Sequence, residues 1–150
     1  MHRLFKAIVQ VLLVAGFAFG LASHASAQTA EKCTLTVKVT GIRNAEGNIR
    51  VTLRRDPQTT VKGKIVQIDP RTLTATAVFE GVTPGTYDVA VIHDENKNGQ
   101  LDFNDMGMPL EGYGHSNNPA KQMGPPRFEE SKFNLSDRAK SIEIELIYWP

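Results

Sequence analysis

The chain has 150 residues, 17 Lys and Arg against 16 Asp and Glu, and a single cysteine. Such a charge balance leaves no electrostatic footprint for nucleic acid or an anionic membrane, and one cysteine excludes a fold held by internal disulfides. The length suits one domain around a single core.

The chain opens with His2, Arg3 and Lys6, runs apolar from Ala7 to Ala22 with only Gln10, Gly16 and Gly20 interrupting, and then reads SHASAQ. This pattern predicts a secretory signal peptide over residues 1–27, with Ala25-Ser26-Ala27 as the small-residue cleavage site. The run is short for a span of about 20 residues and no stop-transfer charge cluster follows it, so a retained anchor is the weaker reading. Taking Arg3 and Lys6 from the 17 leaves 15 basic residues against 16 acidic ones. The expected product is a near-neutral domain over residues 28–150, periplasmic or secreted, without a transmembrane span.

In the mature region Leu35, Val37 and Val39 alternate with Thr34, Thr36, Lys38 and Thr40. A period of two predicts a half-buried strand, starting near Cys33, whose thiol is expected to be free. Gly41 closes it, Arg43-Asn44-Ala45-Glu46-Gly47 supplies turn chemistry, and Ile49, Val51 and Leu53 predict a second strand in a hairpin with the first. From Gln58 to Arg71, Lys62, Gly63 and Lys64 break the pattern, so only a loop with a short strand near Ile65, Val66 and Ile68 is expected. Leu73, Ala75, Ala77 and Phe79 predict the next strand. Pro84-Gly85 predicts a type II turn, after which Tyr87, Val89, Val91 and His93 form one strand face and Asp88, Ala90 and Ile92 the other. A strand apolar on both faces toward its end is expected to be central and to deliver Asp94 at its exit.

The long loop region spans 94–127, and beyond Asp105 it is rich in Gly and Pro without a sustained period, which predicts an ordered loop packed over the core. Phe128 and Phe133 flank a short piece read as an edge strand, and Ile142, Ile144, Leu146 and Tyr148 predict a closing strand. About seven strands and no amphipathic helix after the leader give an all-β, antiparallel β-sandwich.

The stretch HDENKNGQLDFND, from His93 to Asp105, carries the most specific spacing. Counted from Asp94, the residues Asp94, Asn96, Asn98, Gly99, Asp102 and Asp105 fall at positions 1, 3, 5, 6, 9 and 12 of a calcium loop. Ca²⁺ takes about six to eight oxygens, and a loop offering them at alternate positions wraps the ion only where glycine permits a sharp turn. The expected ligands are side-chain oxygens of Asp94, Asn96, Asn98 and Asp105, the backbone carbonyl of Gln100, and Asp102 directly or through water. Asp105 in place of the longer glutamate, and two asparagines in place of carboxylates, predict a weak site of roughly 10⁻⁴ to 10⁻³ M. An asparagine-glycine turn is the plainer alternative, but six matched positions exceed what a turn requires.

Other chemistry is sparser. His93 and His115 invite a Zn²⁺ or Cu²⁺ site, but no third ligand stands at a recognisable spacing. His115 with Ser116, or His93 with Asp94 or Glu111, offer acid-base pairs, yet no Gly-x-Ser-x-Gly elbow exists. Phe103, Tyr113 and Trp149 offer an aromatic platform for a glycan or peptide, or a cap for the core.

The segments LTVKVTGIRNAEGNIRVTL, GVTPGTYDVAVIHDENKNGQLD, GMPLEGYGHSNN and PPRFEESKF resemble a bacterial secreted family catalogued as domain of unknown function 2141. The resemblance covers nearly all of the mature chain and is most specific from Pro84 through Asn118. It implies an extracytoplasmic sandwich, immunoglobulin-like or transthyretin-like, with no established activity. The Asp-x-Asn-x-Asn-Gly loop is also similar to calcium loops in B-type repeats of bacterial surface adhesins. His115 departs from the hydrophobic aromatic expected after Gly-Tyr-Gly. A transthyretin-like hydrolase is disfavoured, because that group typically ends in a Tyr-Arg-Gly-Ser type tail and this chain ends Ile-Tyr-Trp-Pro.

These features point to an exported, non-catalytic module whose calcium loop organises an interaction surface for an unknown protein or glycan at the cell envelope. The alternative is a small metal-dependent hydrolase or metal-handling protein using His93 and His115. A third reading is an envelope component that pairs through an edge strand.

Overall fold

Alternating apolar residues become the facing inner surfaces of two packed sheets. The computed structural model describes residues 31–122 and 124–150, so the predicted leader over 1–27 lies outside the described residues. The strands are β1 (Cys33–Thr40), β2 (Asn48–Asp56), β3 (Thr59–Val66), β4 (Ala75–Val82), β5 (Gly85–Asp94), β6 (Gly112–His115), β7 (Phe133–Leu135) and β8 (Ala139–Glu145), with a one-turn helix α1 (Phe128–Ser131). One sheet has the order β4-β1-β8, and the other β3-β2-β5-β6, with β7 also pairing β5. Leu35, Val37 and Val39 of β1, Ala77 and Phe79 of β4, and Ile144 of β8 share one fully buried core with Ile49, Val51 and Leu53 of β2 and Tyr87, Val89 and Val91 of β5. The architecture is the expected all-β sandwich.

Several connections differ from the sequence expectation. β1 and β2 do not form a hairpin: β1 pairs β4 and β8, while β2 pairs β3 and β5. Each strand has its own inward apolar face, so the residues between them carry the chain from one sheet to the other, and buried Ile42 plugs that end of the sandwich. Pro84-Gly85 is likewise a sheet-to-sheet crossing. Gly81, with φ 65°, holds the left-handed conformation that a type II turn would have asked of Gly85.

β3 is a full eight-residue strand where a short one was expected. It lies at the sheet edge with both faces largely exposed, so nothing selects an apolar alternation there. β6 hides in the glycine-rich loop for a different reason. A Cβ on Gly112 would stand 2.4 Å from the Tyr148 ring, and one on Gly114 2.8 Å from the Ile144 side chain. These glycines let the C-terminal strand cross closely, at the cost of any hydrophobic signal. The piece between Phe128 and Phe133 is α1, and the edge pairing falls to β7 beyond it. β1 and β8 pair in parallel, an exception to the antiparallel rule that uses the whole second sheet as its crossover.

β5 holds the position predicted for it. β2 lies along one edge, and along the other β6 covers Ala90 to His93 while β7 covers Gly85 to Tyr87. The gap between them is closed by Ser116, whose N–H donates to the Val89 carbonyl and whose Oγ accepts the Val89 N–H, both at 2.9 Å.

Candidate functional site

β5 delivers Asp94, fully buried, at its exit. Its Oδ2 accepts the Gly99 N–H at 2.9 Å, while its Oδ1 is buried without a hydrogen-bond partner. Lys97 (φ 62°) and Gly99 (φ 87°) turn the chain back, and a Cβ on Gly99 would meet the Arg50 guanidinium at 3.8 Å. Asn96 Oδ1 accepts the Asn98 N–H and Asn98 Oδ1 accepts the Gln100 N–H, each at 2.9 Å. Two successive Asx turns thus stack the side-chain oxygens of alternate residues along one loop. The Asn96 and Asn98 amides donate to the Asp102 carboxylate at 2.6 and 2.9 Å. Arg50 Nη1 stands 3.8 Å from Asp94 Oδ2 and partly offsets its charge.

The fold therefore links Asp94, Asn96, Asn98, Gln100 and Asp102. Asp105 stands apart at the exposed tip of a hairpin, where Phe103 bridges Pro109 and the Leu110 N–H returns to the Asp102 carbonyl at 2.8 Å. Among the described residues no group of three His, Cys, Asp or Glu side chains is placed to hold an ion. An ion in this loop would draw on amide and backbone oxygens as well as carboxylates.

A residue that spacing did not nominate as a loop partner fastens the loop at both ends. Glu111 is buried, and its Oε1 accepts the Glu95 N–H at 2.9 Å while Oε2 accepts the Asp102 N–H at 3.2 Å. The 103–110 hairpin brings Glu111 back to the loop, so its position depends on tertiary structure. Glu95 in turn accepts from Arg43 Nε at 2.8 Å and from the Asn44 amide at 3.3 Å. Burial opposes its charge most strongly, yet the Arg43 and Asn44 hydrogen bonds with the Arg43 charge hold the carboxyl below its usual range. Arg43 also donates to the Leu110 carbonyl and lies over the Tyr148 ring, 4.7 Å from its centroid.

The two histidines point to opposite faces of β5's sheet. His93, on the core face, is fully buried between the Tyr148 hydroxyl on Nδ1 and the Glu46 carbonyl on Nε2, each at 2.8 Å. Both ring nitrogens are engaged, which leaves none for a metal. His115 pairs with Ala90 in register on the outer face, where Arg54 and Asp88 lie. This separation removes the two-histidine site on which the metal-dependent alternative rested. Ser116 is equally committed, donating to the Ser131 carbonyl at 2.6 Å, and is no nucleophile.

On that outer face Arg54 Nε donates to Asp88 Oδ1 at 3.0 Å, Arg54 Nη2 bonds Asp88 Oδ2, and Ser131 Oγ donates to the same oxygen at 3.1 Å. Arg54 Nη2 also reaches His115 Nδ1 at 3.5 Å. Guanidinium has no acceptor, so this long contact favours the tautomer with Nδ1 as acceptor and the ring proton on Nε2. Burial foremost, and then the Arg54 charge, pushes His115 down to about 4 against the opposing pull of Asp88. Beside this cluster, between sheet and hairpin, lies a cavity of about 280 Å³ to which Phe103, Tyr113 and Trp149 all contribute. The aromatic residues weighed as a surface platform thus converge on a cavity.

The family described as "Uncharacterized protein conserved in bacteria (DUF2141)" matches residues 37–143. No curated protein and no solved structure matches the chain. Among the described residues no helix is long and apolar enough to cross a membrane.

Proposed function

Because the chain belongs to the DUF2141 family of bacterial proteins, which carries no assigned activity, its role must be read from its own residues, and we propose that it is an exported, non-catalytic β-sandwich module in which Ca²⁺ fixes the 94–102 loop and thereby an interaction surface on the following hairpin. The observation that carries this reading is Asp94 Oδ1, a buried carboxylate oxygen with no partner at the head of the loop. A buried charge left short of a hydrogen bond is costly, and a cation supplies the missing partner. Asn96, Asn98, the Gln100 carbonyl and Asp102 are the remaining candidate ligands. Asp105 would join them only if the hairpin tip turned inward. The hairpin supports the surface: Phe103, Met106 and Leu110 are 56%, 79% and 53% exposed. Three large apolar side chains exposed together on one short hairpin suit a protein or glycan partner.

The test is a pair of melting curves, with calcium at about 10 mM and with chelator. For a dissociation constant of roughly 10⁻⁴ to 10⁻³ M, linkage gives about 1.4 to 2.7 kcal/mol, a rise in Tm of several degrees for a domain of this size. Asp94→Ala should abolish the rise. Equal Tm values with and without calcium would refute the ion reading.

A further inference from the structure

We propose that the cavity on the outer face of β5 is a binding site for a small apolar monocarboxylate, with Arg54 receiving the carboxylate and the 103–109 hairpin covering the apolar body. The floor and the polar end belong to the sheet and so do not rest on the calcium reading, while Leu101 of the 94–102 loop and the hairpin close the other side. The floor is Ala90 and Ile92 of β5, and Leu101, Met108 and Pro109 line it from the loop side.

The polar chemistry of the lining selects the ligand's charge. None of the residues around the cavity is acidic. Asp88 is not among them; it is paired with Arg54 and Ser131 behind the lining and offsets part of the Arg54 charge, so the preference for an acid rests on the donors that stay free. Arg54 spends Nε and Nη2 on Asp88 and His115, and its Nη1 makes no hydrogen bond to any described residue. The Arg54 contact on Nδ1 favours the His115 tautomer that donates from Nε2. Tyr113 accepts the Trp149 Nε1–H at 2.9 Å, which leaves its own hydroxyl hydrogen to donate. Three donor groups and no acidic side chain therefore line one apolar chamber. Lys121 adds a second cation nearby, its Nζ 4.0 Å from the Trp149 ring centroid. Guanidinium pairs best with a planar carboxylate. A cavity of about 150 Å³ accepts benzene, so 280 Å³ admits one ring with a short acid side chain or a medium alkyl acid.

Trp149 is the only tryptophan and lines the cavity, so its fluorescence reports occupancy. The protein is titrated with 3-phenylpropionate and with octanoate, each beside its neutral amide, in calcium and in chelator. Saturation by at least one acid below about 10 mM is expected, with its amide at least about tenfold weaker. Ala90→Leu, which fills the floor, should abolish binding, and Arg54→Lys should weaken the acid at least about tenfold, because one ammonium cannot both hold Asp88 and present the free donor that Nη1 supplies. Thermal melts identify folded variants, and if Arg54→Lys does not fold, the acid-amide comparison in the unaltered protein decides the charge requirement. No saturation by either acid, equal binding of acid and amide, or undiminished binding by folded Ala90→Leu would each overturn the proposal. Binding that persists in chelator leaves it standing even if calcium proves to have no effect on Tm.

Discussion

Replacing Arg54 with methionine isolates the charge pair on the outer sheet face. The Asp88 side chain is 1% exposed and that of Arg54 20%, so the substitution strands a carboxylate with only the Ser131 hydroxyl, at 3.1 Å. Breaking a buried pair from one side costs about 3 to 5 kcal/mol, whereas replacing both partners with apolar groups of similar size is close to neutral. Against a total stability of about 5 to 15 kcal/mol, the single variant should show a greatly lowered urea midpoint, and Arg54→Met/Asp88→Leu should recover most of it. The histidine supplies a second readout. Arg54 helps depress His115 to about 4 while Asp88 pulls the other way. Without Arg54, the His115 ring should therefore titrate at higher pH by NMR. A single variant that loses less than about 1 kcal/mol, or a double variant less stable than the single, would refute this reasoning.

Other outcomes follow from the same geometry. Gly112→Ala places a methyl 2.4 Å from the Tyr148 ring and must displace the hydroxyl that meets His93; an on-the-order-of 2 to 4 kcal/mol loss in urea unfolding is expected, partly restored by adding Tyr148→Leu. For pH, burial and then the Arg54 charge push His115 down to about 4 in the folded chain from its ordinary 6.5. Between those values the unfolded chain binds the proton, so the His115 contribution to stability should decrease as pH falls from 6.5 to 4 and level off below that, by up to about 3 kcal/mol, a slope that His115→Gln should flatten relative to the unaltered protein. Glu95, held below its usual range, adds a separate loss at lower pH. Cys33 is 2% exposed and free, so a thiol reagent should modify it rapidly only in denaturant; fast modification of the native protein would show that β1 opens.

What the sequence disclosed, and what it withheld, divides along physical lines. Strands with one face in the core advertise themselves by alternation, so β1, β2, β4, β5 and β8 were readable from residues such as Leu35, Val51, Phe79, Val89 and Ile144. Partner choice was not, because an inward apolar face says that a strand packs and not which neighbour it bonds. The β1-β2 hairpin failed for that reason. β6 was invisible because Gly112 and Gly114 are small to let Tyr148 and Ile144 approach, which erases the pattern. In the loop, Asp94, Asn96, Asn98 and Asp102, which the spacing nominates as ion ligands, fall in one hydrogen-bonded unit, since Asx turns are local. It could not foresee the hairpin that leaves Asp105 exposed and returns Glu111 to the loop's two ends, nor that strand pairing would set Arg54, Asp88 and His115 side by side.

The parallel pairing of β1 with β8 bears on how the molecule reaches its native state. Lys38 of β1 and Glu143 of β8, joined by a salt bridge, are 105 residues apart in sequence, and the β1-β8 register runs unbroken from Thr34 to Thr40. Closing so long a loop must precede the contacts that reward it, so the three-stranded sheet should be a late and slow step of folding. Until β8 arrives, β1 keeps an open edge and Ile144 is missing from the core. For a chain proposed to cross a membrane before folding, that order of events is useful. Its earliest strand cannot be satisfied until its last has emerged on the same side.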